Sequence, residues 1–433
     1  MNYVSIINLI FFIISVLLSI YLFHFVFFAF VGAVHKKRYP HTDEKSKFGV
    51  LISAKDEENV IPRLIESIRS ADYPQDKLEI IIIAHNCTDK TAEIASSLGA
   101  KVIVYNDENA RTLGLAYHYA FKQINVKDYD GFLILNADNI VSKDYFDKVN
   151  DAFVYYNKHE IVTSFRHSLN IKDGALPAIY GYYFAASCLL TFSGRTSFNV
   201  SARITGCGYL IPTRILENGW NYTSITEDIE FSADKVLNGE IIRYVDDAVF
   251  YDEQPRKLKV MWNQRLRWAK GQNVVSKKYF WKFFKALFSK DKKNKMSLYV
   301  AMTFNSFIPL VFFFLFVLQN ILFLLSPLFG ISLQEAYLYW NSDRSWFANL
   351  FMSFNTGALF GMAKSVITVF ISAYLTLIAI LLASRGKYRK QPKLPLIFGF
   401  ILFPFFVLLQ IPLDLTAMFV REVKWKKIPH GMN

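Results

Sequence analysis

The sequence predicts an α/β domain on a mostly parallel, Rossmann-like sheet, joined to an α-helical transmembrane bundle. Three observations carry this. Between Phe48 and Tyr251, apolar runs of strand length alternate with segments of helical periodicity. Residues 3–34 contain no Asp, Glu, Lys or Arg, a run of roughly 30 residues that is long enough to span a bilayer. Three further apolar blocks follow at 298–330, 358–384 and 394–420.

The first run ends at His35-Lys36-Lys37-Arg38. A cleaved secretory signal carries its charges before a shorter apolar core and a small-residue site after it. Residues 1–34 therefore read as a retained transmembrane helix, and residues 35–47 as a basic linker. The domain at 48–254 opens with FGVLIS (48–53), a strand, followed by a helix from about Glu57 to Ser70. LEIIIIA (78–84) is a second strand, and Thr88-Asp89 starts a helix running to Gly99 with Glu93 in its early turns. KVIVY (101–105) is a third strand, followed by a helix over 112–124. FLILNAD (132–138) is a fourth, with a helix over 143–157 behind it. Strands this continuously apolar are buried on both faces, and their alternation with helices implies right-handed parallel crossovers. Ligands of such sheets bind beyond the carboxyl ends of the strands, which puts Ser53–Glu57, Ala84–Asp89 and Asn136–Asn139 on one rim.

Residues 255–296 are basic and aromatic, as in KLKVMWNQRLRWAKGQ and KKYFWKFFKALF, and read as amphipathic helices in the membrane interface. Residues 297–433 complete the membrane part and end in a basic tail. The chain carries a formal net charge of +13 and a pI near 9.3. Its Lys/Arg clusters at Lys36–Arg38, Lys277–Lys295, Arg385–Lys393 and Arg421–Lys427 all flank apolar blocks. Positive residues in such places are held on the cytoplasmic side against anionic lipid, and no nucleic-acid fold signature is present. Cys87, Cys188 and Cys207 lack CxxC spacing, so neither a disulfide framework nor a zinc site is expected. The charges place the amino terminus outside and the tail inside, which needs an even number of crossings after the soluble domain. Either Pro404 and Pro412 break the last block into a re-entrant pair, or the region of 298–330 and 331–357 holds a further crossing.

The stretches SAKDEE (53–58), NCTD (86–89), NAD (136–138), TED (226–228) and QRLRW (264–268) have distinctive order and spacing. Over about residues 48–275 the chain resembles membrane-embedded family 2 glycosyltransferases, the group of cellulose, chitin, hyaluronan and poly-N-acetylglucosamine synthases. TED followed by QxxRW just before apolar spans is the specific part of the match. The resemblance implies a GT-A domain in the cytoplasm of a multi-pass cell-membrane protein. It further implies a processive inverting enzyme that moves sugar from a UDP-sugar to a β-linked polysaccharide and exports it through its own spans. The bilayer and accessory cell-envelope export proteins are the other implied partners. A lipid glycosyltransferase of the ceramide-glucosylating kind carries similar motifs, and a catalytically degenerate assembly partner is the reading from a different class.

The chemistry assigns roles to these residues. The leaving pyrophosphate needs a divalent cation, Mg²⁺ or Mn²⁺, on carboxylate oxygen, and Asp138 is the candidate ligand. Asn-Ala-Asp-Asn is also a good turn sequence. An acceptor hydroxyl needs a base, and Asp228 is the candidate with Glu227 beside it. Thr226 can cap the helix that fixes both, although acids favour a first helical turn for dipole reasons alone. Gln264, Arg267 and Trp268 share one helical face. Arg suits phosphate, and the family assigns this motif to the pyrophosphate and, through Trp268, to the acceptor sugar. By the same resemblance Ala54, Glu57, His85 and Asn136 belong to the donor side, and Gly206, Cys207 and Gly208 lie near the acceptor. The two glycines equally suit a tight turn. His85 and Asn136 stand where the family has aspartates, and Leu113, with Arg111 nearby, stands where it commonly has Lys.

Overall fold

In the first apolar run the described helix is Phe23–Val34, α1. The structure, a computed structural model, describes residues 23–302 except 110, 111, 292 and 293, residues 358–421 except 385, and scattered positions besides. The start of the first predicted span, Arg111, most of the 298–330 block, residues 333–357 and the tail from 424 lie outside the described residues.

Four strands form where the apolar runs predict them: β1 Phe48–Ala54, β2 Leu78–His85, β3 Lys101–Tyr105 and β4 Gly131–Asn136. All of β1 except Ser53 is buried, and β1 pairs in parallel with both β2 and β4. The register sets Ser53 beside Asn136 and Ala54 beside Ala84, so the polar ends of three strands reach one rim together. Helix α2, Ile61–Arg69, starts four positions later than predicted and buries Ile61, Leu64, Ile65 and Ile68. Asp56 adopts φ 54°, and the N–H groups of Glu57 and Glu58 donate to Thr91 Oγ1 and Asp89 Oδ2 across the rim, while the Glu57 carbonyl accepts the N–H groups of Val60 and Ile61 in the turn that leads into the helix. Helices α3, Thr91–Ser97, α4, Leu113–Phe121, and α5, Tyr145–Tyr155, follow their strands in the predicted places.

The second half of the sheet departs from a simple parallel pattern. Strands β5 Asn139–Val141, β6 Ile161–Ser168, β7 Tyr209–Pro212 and β8 Ile242–Asp252 complete eight strands in the order β3-β2-β1-β4-β7-β6-β8-β5. β7 runs antiparallel to β4 and β6, and β5 antiparallel to β8. β4 and β5 are four places apart in the sheet, yet only Ala137 and Asp138 connect them. Two residues span little more than 10 Å, so the sheet curls until its β5 edge approaches the end of β4. Separate apolar cores cover its two faces.

Helix α6, Ala175–Ser197, is long and apolar enough to cross a membrane, but 67% of its apolar window is buried inside the protein. It contains a π-helical turn at Ala186–Phe192 and crosses α1 at close range. A Cβ on Gly194 would lie 2.0 Å from the carbonyl oxygen of Phe28, and one on Gly32 1.9 Å from that of Leu190, the small-residue packing of apolar helices. Helix α7, Glu227–Leu237, precedes the 31-residue α8, Leu258–Phe288, and α9, Lys295–Met302. Where an interfacial segment is expected, α8 buries Met261, Arg265, Ala269, Val275 and Phe283 inside the protein. Its far end exposes Trp281, Phe284 and Phe288 among lysines. Helix α10, Ala358–Ala383, lies in the second predicted block. The last block forms α11, Lys393–Leu408, which continues through Pro404, and α12, Gln410–Phe419, with Pro412 in its first turn. Together α11 and α12 are the second apolar stretch among the described residues that is long enough to cross a membrane, and only 22% of its window is buried.

Candidate active site

A cleft of about 1400 Å³ runs along the rim of the sheet. One wall is the strand ends, with Ala54, Glu57, His85, Asn136 and Asp138. The other carries Gly206, Glu227, Asp228, Gln264, Arg267 and Trp268. Eleven of the thirteen expected site residues therefore face one space. Cys207 and Gly208 do not line it. Cys207 is fully buried, its Sγ 3.9 Å from Asp252 Oδ1. Gly208 has φ +68°, and a Cβ there would lie 2.0 Å from the Phe250 ring, so β8 packing explains that glycine and a sugar need not.

The base candidates begin α7. Thr226 occupies the cap position but its side chain makes no capping bond, contrary to expectation. It is pressed instead against Gly271 of α8, where a Cβ would approach it to 2.2 Å. Glu230 supplies the polar closure from within the helix by accepting the N–H of Ser224 at 3.1 Å. Burial, and then the neighbouring Asp228, push Glu227 up to about 8. Burial raises Asp228 as well, opposed by backbone N–H groups, Arg203 and Arg267. A buried carboxylate with a raised pKa is a stronger proton acceptor than an exposed one.

On α8, Arg267 donates to the carbonyl of Ile225 at 3.2 Å. Gln264 accepts the Tyr180 hydroxyl at 2.8 Å. Trp268 packs edge-on to Tyr180 and Phe184 of α6, with ring centres 6.3 and 6.2 Å apart.

A profile described as glycosyltransferase like family 2 matches residues 46–271, just over half of the chain. The chain belongs to glycosyltransferase family 2. Among its relatives, the probable glycosyltransferase YdaM of Bacillus subtilis is 27% identical over 317 residues, covering 68% of this chain and 70% of that protein. The poly-β-1,6-N-acetyl-D-glucosamine synthase of Staphylococcus aureus is 27% identical over 285 residues, and the match spans 63% of its length and 62% of this chain. In three dimensions the chain is similar to the mannosyltransferase PcManGT of Pyrobaculum calidifontis, solved in complex with GDP-Man and Mn²⁺. That match has a TM-score of 0.52 and 14% identity, and covers 88% of this chain and 99% of the other. It shows a shared fold.

Within this family 2 enzyme, oxygen that could hold a cation is offered at the β1 and β2 loops and at the β4–β5 corner. Asp56, Cys87 and Asp89 lie within 4.8 Å of one another. Their oxygens serve the backbone: Asp56 accepts the N–H of Thr88 at 2.6 Å, and Asp89 those of Glu58 and Thr91 at 3.2 and 2.9 Å. That group knits the β1 and β2 loops together. At the β4–β5 corner, Asp138 and Asn136 face the cleft. A carboxylate with an amide oxygen fits the oxygen preference of Mg²⁺ and Mn²⁺.

Sequence reasoning missed Arg166, Arg203 and Asp252, which also line the cleft. Arg166 and Asp252 form a buried ion pair 86 residues apart in the chain. The available signal was an arginine inside the strand IVTSFRHS and an acid closing β8. Arg265 and Lys270 were missed too. Arg265 donates to the Phe406 carbonyl at 3.0 Å and to Gln410 at 2.7 Å, and Lys270 to the Val420 carbonyl at 2.6 Å. These bonds fasten the QRLRW helix to α11 and α12.

Proposed function

We propose that this glycosyltransferase is a processive inverting enzyme at the cytoplasmic face of the cell membrane, using a UDP-sugar to extend a β-linked polysaccharide that leaves through its apolar helices. One observation supports this above the rest. A single cleft joins the strand-end rim, the buried acids of α7 and the QRLRW face, and continues to Gln410 and Arg421 beside α11–α12.

In this reading the nucleotide lies over Ala54, Glu57 and His85, with its pyrophosphate toward Asp138 and Arg267. Asp138, with Asn136, would hold Mg²⁺ or Mn²⁺, which when bound neutralises charge on the leaving diphosphate. Asp228 accepts the proton of the acceptor hydroxyl as that oxygen attacks the anomeric carbon. The nucleoside diphosphate leaves from the opposite face, inverting the configuration. Arg267, Gln264 and Trp268 orient the two substrates, and Trp268 with Phe184 offers an apolar platform to a sugar ring. The exposed apolar faces of α11 and α12 and the Trp281–Phe288 end of α8 support a membrane seat.

The test is to incubate the purified protein with a panel of nucleotide sugars and digest the product with linkage-specific hydrolases. A hydrolase-sensitive polymer made from a UDP-sugar supports the proposal. A product with a single sugar on lipid selects the lipid glycosyltransferase, and absence of nucleotide release from every donor selects a non-catalytic partner.

A further inference from the structure

Asn139 is fully buried at the start of β5, and its amide orientation is dictated by its neighbours. Its Oδ1 accepts the backbone N–H of Asn136 at 3.0 Å. Nδ2 therefore faces the other way, and its two hydrogens are directed at two carboxylates. One is Asp138 Oδ1 at 3.2 Å, the other Asp252 Oδ1 at 2.6 Å. The antiparallel pairing of β5 with β8 sets Asn139 directly opposite Asp252, so strand register maintains the contact. Asp252 is fixed from its far side as well. Its Oδ2 accepts Arg166 Nε at 3.0 Å and the side-chain amide of Gln254. Arg166 in turn donates to the Thr205 carbonyl at 2.7 Å and lies 3.9 Å over the Phe184 ring.

The chemistry of each position is specific. An aspartate at 139 would turn a third carboxylate on the two it now joins, and it has no N–H to offer either. A neutral residue at 252 would leave the buried Arg166 without its counter-charge. Asp252 spends its oxygens on Asn139, Arg166 and Gln254, which suits it to support a ligand more than to be one. Carboxylate ligands depend on such supporting bonds, and loss of one typically costs about 10–100-fold in metal affinity.

We propose that Asn139 and Asp252 are positioning residues: through Asn139 Nδ2 they hold the Asp138 carboxylate in the orientation that receives the donor's divalent cation. This rests on the reading of Asp138 as the cation's carboxylate.

The test is calorimetric titration of UDP into the full-length protein in Mn²⁺ and again in EDTA. The ratio of the two affinities is the gain that the cation confers. In Asn139→Ala the gain should fall about tenfold or more, with UDP affinity in EDTA unchanged. Asp252→Asn leaves Asn139 Nδ2 only a neutral acceptor and should lower the gain in the same direction, and Asn139→Leu, which fills the space that Ala empties and offers no N–H, reads the contact if Asn139→Ala does not fold. A residue with a purely structural role would lower the melting temperature and leave the gain at its wild-type value, and that result in a folded variant overturns the inference. Asp138→Ala separates the two levels. If it abolishes the gain while Asn139→Ala and Asp252→Asn keep it, only the positioning role fails. If Asp138→Ala keeps the gain, the cation reading itself fails and the positioning role falls with it.

Discussion

The guanidinium of Arg267 reaches the carbonyl of Ile225 at 3.2 Å, tying the QRLRW helix to the loop that precedes the two acids of α7. One side chain thus sets the distance between the residue proposed for the diphosphate and the residue proposed as base. Arg267→Lys keeps the charge but loses the planar fork, so it should restore little of what Arg267→Ala removes. The expected loss is about 10²–10³-fold in kcat, as for a preorganised donor to developing negative charge. Steady-state kinetics on variants that melt like the wild type check it; a Lys variant of near-wild-type activity would reduce Arg267 to a point charge.

Asp228→Asn preserves size and hydrogen bonding but accepts no proton. Turnover should drop by about 10²–10⁴-fold while UDP-sugar still binds, measured by calorimetry beside a nucleotide-release assay. Wild-type-like turnover would remove Asp228 from the mechanism.

Much of this site is legible in sequence because each motif is local. NAD closes one strand, and TED and QRLRW each lie on one helix; the apolar strands predict the rim that SAKDEE, NCTD and NAD share. The second half of the sheet is harder to see. β5 and β7 have three and four residues, too short for a periodic signal, and β7 inserts antiparallel next to β4 from a distant part of the chain. Arg166 and Asp252 meet because β6 pairs in parallel with β8, which sets Arg166 opposite Phe250, two positions before Asp252, and local sequence does not show that pairing. The cap expected of Thr226 fails for a tertiary reason, since the threonine is held against Gly271 of a helix that local sequence does not place there.

The paired acids predict a pH dependence. The base works deprotonated, and burial raises the pKa of Asp228, so activity should fall on acidification at a pH above the ordinary carboxylate range. Asp228 helps raise Glu227 to about 8, so Glu227 is the second of the pair to ionise and is neutral as Asp228 loses its proton. Glu227→Gln should therefore leave that acid limb in place in a profile of kcat/KM. A limb that moves to lower pH would show that Glu227 carries charge beside the base.

The same shift carries a stability consequence. Glu227 rises from an ordinary 4.5 to about 8 in the folded chain, so the folded state holds its proton more tightly than the unfolded one. Its contribution is complete below about pH 4.5 and is lost as pH rises through about 8. Denaturant midpoints should decline across that window in the wild type and decline less in Glu227→Gln. Parallel curves for the two proteins would refute the shift.

Trp268 packs between the α6 rings and the cleft. Trp268→Ala should shorten the product and raise KM for the acceptor more than for the donor, read by product sizing and by kinetics in each substrate. Equal effects on both substrates would assign Trp268 to packing alone.

Processive extension by one cleft is the central claim, and early-time product sizing tests it most directly. The purified enzyme is given an excess of acceptor and a labelled UDP-sugar, and the product is resolved by length within the first turnovers. The account predicts long chains while most acceptor is still unextended, and their disappearance in Asp228→Asn. A product that stops at one added sugar, or chains that all lengthen together by single steps, would contradict it.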